Sequence, residues 1–149
     1  MIQRIQTLYL LLAAGASFSQ LTLPYMSVPA DNPAHNLKVF EDGMLNPFDN
    51  IGLLGLCVLS GLVALAAIFI FKNRPLQARL AGGAQIATLL LLVLLGVSIY
   101  QAIDKMPESG TYSFQIGIAF PVLSLILLWM ASRGIRADEK LVRSSDRLR

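Results

Sequence analysis

The sequence predicts an all-α integral membrane protein: four transmembrane helices in an up-down bundle, a small extended or hairpin loop between helices 1 and 2, and a charged C-terminal helix. Three observations carry that prediction. Charged residues make up only 14% of the chain, against about 25% in a soluble domain, which must cover its core with polar side chains. Uncharged apolar runs recur at the length a bilayer demands, since a hydrocarbon core of about 30 Å needs roughly twenty helical residues at about 1.5 Å each. Basic residues crowd onto one side of the threading these runs define.

The length fits a single membrane domain. Span one, residues 5–23, is the weakest run, broken by Gln6, Gln20 and several hydroxyls. A short apolar run ending in Ala14-Gly15-Ala16 also has the form of a secretory signal that could be cleaved within residues 1–16. Apolar character resumes at Phe18 and continues to Leu23, which favours a retained anchor. Spans two to four, residues 51–71, 80–100 and 112–131, contain no Asp, Glu, Lys, Arg or His. Between them lie an outer loop at 24–50, a link at 72–79 and an outer turn at 101–111, with a tail at 132–149.

Basic residues flanking the spans set orientation. Arg4, Lys72, Arg74, Arg79 and six residues of the tail (Arg133, Arg136, Lys140, Arg143, Arg147 and Arg149) share one side of a four-span threading. The other side holds only Lys38 and Lys105, beside Asp31, Glu41, Asp42, Asp49, Asp104 and Glu108. Both termini and the link are therefore expected in the cytoplasm. Pro24, Pro29, Pro33 and Pro47 divide the outer loop into extended pieces. Within it, LKVFEDGMLNPF sets Asp42-Gly43 between apolar segments, a hairpin signal. The second outer loop reads as a simple turn.

Chemistry inside a membrane calls for ionisable groups at depth, and none of the four runs holds an Asp, Glu, Lys, Arg or His. Their glutamines include Gln85 and Gln115, the candidate interhelical polar contacts. Gly52, Gly55, Gly61, Gly82, Gly83 and Gly96 are expected to let backbones approach. Pro121, inside span four, removes a helical hydrogen bond and predicts a kink. His35 stands alone as an imidazole, too little for a metal site, and Cys57 reads as a small packing residue. The chain contains no phosphate-binding glycine loop, HExxH helix or G-x-S-x-G elbow. No catalytic, cofactor-binding or metal residue is assigned, no cofactor is expected, and a net charge of +3 gives little reason to expect nucleic acid.

The tail, RADEKLVRSSDRLR, is built of helix formers and lacks proline. Glu139 precedes Arg143 by four residues, the favourable order on a helix, and Arg136–Glu139 and Arg143–Asp146 add pairs three apart. Leu141, Val142, Ser145 and Leu148 form a narrow apolar stripe. Link and tail together present a candidate cytoplasmic docking surface: Lys72, Arg74, Arg79, Arg136, Glu139, Arg143 and Asp146.

Three segments, MIQRIQTLYLLLAA, FKNRPLQARL and IRADEKLVRSSDRLR, together resemble a family of four-span inner-membrane proteins of Bacteroidota, domain-of-unknown-function family 4293. The resemblance covers essentially the whole length. It implies a multi-pass protein of the bacterial inner membrane with no assigned activity, and Pro75 departs from the helix-compatible residue expected in such a link. The expected function is non-enzymatic association, as accessory subunit, assembly factor or scaffold. Expected partners are membrane lipids and other membrane proteins or further copies of the chain. The alternative is a small oligomeric carrier or channel for an uncharged or lipid-like solute. That reading needs Gln85, Thr88, Gln115 and Ser124 to line one cavity.

Overall fold

A computed structural model describes residues 2–29, 40, 42–106 and 110–146, the first three and last four of them by backbone alone. The fold is mostly helical. Four helices, α1 (Ile2–Ser19), α2 (Ile51–Phe69), α3 (Arg74–Asp104) and α4 (Ala119–Asp146), are accompanied by a three-stranded sheet of two-residue strands. α1 packs on α2 and α4, and α3 packs on the same two, which closes a four-helix ring. By length and composition α2, α3 and the stretch Ile116–Val142 are apolar enough to cross a membrane. The apolar part of α1, Ile5–Ser19, is shorter.

The helix ends follow from local chemistry. α1 stops at Ser19, short of the expected span end, as Leu21 and Thr22 N–H groups turn back to the carbonyls of Phe18 and Ser19 (3.0 and 3.2 Å). Pro24 also biases Leu23 away from helix. Asn50 caps α2, its side chain accepting from Gly52 N–H at 2.9 Å, and replaces one orphan partner of the first turn. Asn73 does the same for α3, accepting from Leu76 N–H at 3.2 Å.

The expected eight-residue link is therefore mostly helix. α3 begins at Arg74, and Pro75 sits in its first turn, where a missing N–H costs nothing. Pro75 helps to start the helix instead of disturbing a loop. α3 also runs past residue 100 to Asp104 and absorbs part of the expected outer turn.

Three further expectations are corrected at α4. The segment Tyr112–Ile118 is not membrane helix: Ser113–Phe114 is a strand and Ile116–Ile118 a 3₁₀ turn. Pro121 thus falls in the first turn of α4, where no i−4 bond is needed, and the reason for a kink disappears. At its other end α4 continues without a break into the tail, so tail and last span are one helix.

The sheet sits where α1 and α3 end and α2 and α4 begin. β1 (Met26–Ser27) lies between β2 (Met44–Leu45) and β3 (Ser113–Phe114), antiparallel to both. The outer loop does form strands, but β2 pairs with Met26–Ser27; the expected first arm, residues 37–39, lies outside the described residues. Gly43, at φ 74°, takes the left-handed conformation that the Asp-Gly signal anticipates. Asp42 accepts from Met44 N–H at 3.1 Å and from the Asn46 amide at 2.8 Å, which holds the turn. β3 lies just past the expected outer turn, in residues read as the start of span four.

The buried interior divides into two apolar clusters. Under the sheet, Tyr25, Met26, Phe40 and Leu45 pack on Leu53, Leu91 and Leu95. Toward the opposite end, Leu10, Leu128 and Ile135 pack among the small residues Ala13, Ala64, Ala81 and Ala131. Burial raises the Tyr25 phenol well above its ordinary value, so it remains a neutral donor to Gln20 Oε1 at 3.1 Å.

Candidate functional site at the charged end

The end opposite the sheet is assembled from three pieces: the start of α1, the α2–α3 connection and the second half of α4. Gln77 secures the connection. Its buried amide donates to the Ala67 carbonyl at 3.0 Å, one of the orphan acceptors in the last turn of α2. Asn73 and Gln77 together hold the first turns of α3 against the end of α2.

That placement carries Arg74 to α4, where its guanidinium donates to the Asp138 carbonyl at 3.4 Å. One turn further along α3, Arg79 shares a groove of about 560 Å³ with Pro75, Gly82, Arg136 and Glu139. Arg136 is common to a second groove of about 370 Å³, formed by Gln85 of α3 with Trp129, Ser132, Arg133 and Lys140 of α4. The Arg133 guanidinium lies over the Trp129 ring, 5.5 Å from its centroid, within reach of a cation–π attraction.

Of the residues predicted for this surface, Arg74, Arg79, Arg136 and Glu139 come together on the α3–α4 face. Lys72 is exposed in the α2–α3 turn. Arg143 and Asp146 lie on the last turns of α4, and the expected pairs through them fall outside the described side chains. Leu141 and Val142 of the apolar stripe are exposed.

The polar residues singled out within the spans separate. Gln115 belongs to the sheet end, where its amide donates to Ser27 Oγ at 2.7 Å and its N–H to the Tyr25 carbonyl at 3.0 Å. Gln85 lies at the charged end. Thr88 is buried and donates to the Ala84 carbonyl of its own helix at 2.9 Å. Ser124 is buried in mid-bundle, 2.9 Å from Ser17 Oγ. These four do not line one cavity.

Sequence reasoning missed a serine junction between the two apolar clusters. Ser60 donates to Ser17 Oγ at 3.2 Å, Ser124 reaches both Ser17 and the Ala13 carbonyl, and Cys57 Sγ donates to the Ser17 carbonyl at 2.9 Å. Small polar residues in apolar runs signal such contacts in general, but nothing in the sequence pairs them. Asn73-Arg74-Pro75 did carry a readable sign, a capping residue followed by proline in the first turn. His35 lies outside the described residues. No group of three metal-ligating side chains occurs among the described residues.

Fold and site together define a helical bundle with an apolar exterior, a small sheet at one end and a basic surface at the other. The chain belongs to the family described as a domain of unknown function (DUF4293), which matches residues 2–148. Neither a curated protein nor a solved structure matches it.

Proposed function

We propose that this chain is a multi-pass protein of the bacterial inner membrane, threaded four times in up-down order with both termini and the α2–α3 turn in the cytoplasm. We further propose that it acts by association and not by catalysis, as an accessory subunit, assembly factor or scaffold. Its exterior supports the membrane part. The three long helices have windows of mean hydropathy 2.6, 2.3 and 1.8, of which only 33%, 28% and 39% is buried. Ile51, Phe69, Ile86 and Val93 are among the apolar side chains left facing outward, an arrangement that lipid solvates and water does not. At about 27 Å by its length, α1 needs the apolar turn to Leu23 to complete its crossing.

The observation that carries the association reading is the composite charged surface. Link and tail are separated by more than fifty residues, yet the Arg74–Asp138 contact and the groove of Arg79, Arg136 and Glu139 make them one face. Photo-crosslinking groups placed at Lys72 and at Arg79 in intact cells, followed by detergent extraction, test it. The same membrane partner, or a second copy of the chain, is expected from both positions and not from Phe48 at the sheet end. Recovery of the monomer alone would count decisively against association. Reporter fusions to the tail and near Asp42 check the threading, which fails if the tail reports outside.

A further inference from the structure

We propose that the α3–α4 groove at the charged end binds the headgroup phosphate of an anionic glycerophospholipid. The proposal rests on the membrane reading above and assigns that surface a ligand class.

Three cations, Arg133, Arg136 and Lys140, line the groove, and among the described residues none that lines it is acidic. Arginine and lysine donors meet phosphate oxygens through charge-assisted hydrogen bonds. Ser132 is a second and independent sign. It lines the same groove, is 4% exposed, and its hydroxyl has no hydrogen-bond partner among the described residues. Buried polar groups are rarely left so, and a phosphate oxygen entering beside the three cations supplies the missing acceptor. Of the two adjoining acids, Asp138 is buried and Glu139 lines the neighbouring groove with Arg79.

The surroundings favour a lipid over free phosphate. Trp129, half exposed and stacked by Arg133, marks the wall of the groove with the residue type enriched at the membrane–water boundary. From Gln85 along α3, Leu89 and Val93 follow at four-residue steps. From Arg133 back along α4 come Trp129, Ile126 and Val122, and all five are exposed apolar side chains. Cations, a buried hydroxyl, an indole and then an apolar strip repeat the order of phosphate, glycerol and acyl chain. A soluble anion would use only the first of these. Basic pockets between membrane helices on the cytoplasmic side are suited to such headgroups.

Trp129 is the sole tryptophan, so its fluorescence reports this site directly. The full-length chain is reconstituted in phosphatidylcholine vesicles in which part of the lipid carries brominated acyl chains, on either phosphatidylglycerol or phosphatidylcholine. Stronger quenching by the brominated phosphatidylglycerol is expected. Arg136→Gln with Lys140→Gln should weaken that preference by about fivefold per cation removed, the ratio equivalent to about 1 kcal/mol each. Ser132→Ala should weaken it too without lowering thermal stability, an outcome that a merely structural serine would not produce. Equal quenching by both lipids, or an unchanged preference in the double variant, overturns the site while leaving the membrane reading standing. Relief of quenching by inorganic phosphate at constant ionic strength identifies a soluble-anion site and overturns the lipid assignment. Failure of both brominated lipids to quench would sink the membrane reading itself.

Discussion

Gly117 offers the sharpest test of how the α1–α2 and α3–α4 connections are joined. A Cβ built there would stand 2.2 Å from the Pro24 carbonyl oxygen, 2.7 Å from its carbon and 2.8 Å from the Leu23 oxygen. All three are backbone atoms, so no side-chain rotation relieves the contact. Nor is the backbone free to retreat. Tyr25 N–H bonds the Leu45 carbonyl at 2.9 Å and Gln115 N–H bonds the Tyr25 carbonyl at 3.0 Å, holding the turn from both sides. Carbon and oxygen need well over 3 Å, so the loop after α1 and the 3₁₀ turn before α4 must part by about 1 Å or more. Overpacking of this kind typically costs about 1–3 kcal/mol, and Gly117→Ala should fall at the upper end. Gly55 and Gly96 provide internal controls, because a Cβ at either meets nothing within 4 Å. Alanine there should be neutral or stabilise by up to about 1 kcal/mol through helix propensity. Unfolding in mixed micelles titrated with sodium dodecyl sulfate, followed by helical circular dichroism, ranks the three variants. If Gly117→Ala unfolds with Gly55→Ala, the close approach of the loops is refuted.

Three more outcomes follow from buried polar groups and are read in the same assay. Ser17→Ala removes the acceptor of Ser60 and the partner of Ser124 together, and should destabilise by about 1–2 kcal/mol, as interhelical hydrogen bonds in membranes do; no loss would mean the junction is incidental. The Gln6 amide nitrogen is buried without a partner among the described residues, so Gln6→Met, similar in shape and apolar, should stabilise by about 1 kcal/mol or more; a loss would show that the amide is satisfied. Tyr25→Phe should cost about 1 kcal/mol at neutral pH through the lost bond to Gln20. Because the folded-state value of Tyr25 is raised, its contribution is complete below the ordinary value of 10.0 and declines as pH rises beyond it. The variant should therefore lose less stability than the parent between neutral pH and pH above 10; an identical alkaline slope would refute the assignment.

Legibility differed from element to element for identifiable reasons. α2 was readable almost to the residue because its run is uninterrupted and Asn50 precedes it. The start of α4 was misread because Tyr112–Ile118 is as apolar as a span but is claimed by pairing with β1, a contact with residues more than eighty positions away. Among the glycines, a gap in the side chain matters only where another chain segment fills it. Gly52 and Gly61 face Leu94 and Phe18, whereas Gly55, Gly82, Gly83 and Gly96 meet nothing within 4 Å. At the charged end, sequence supplied the basic residues of link and tail and expected them side by side. It gave no hint that Ser132 would be buried beside three of them without a partner among the described residues.

By itself, the sequence determined the helical class, the three long apolar helices and the segregation of basic residues. These depend on composition, run length and flanking charge, which are local and one-dimensional. Tertiary structure alone decided that the α1–α2 and α3–α4 connections form one sheet, that Ser17, Ser60 and Ser124 meet, and that Arg136 borders two grooves. Each of these depends on the rotation and depth of one helix against another. Close packing of whole faces sets those quantities, and no single segment encodes them.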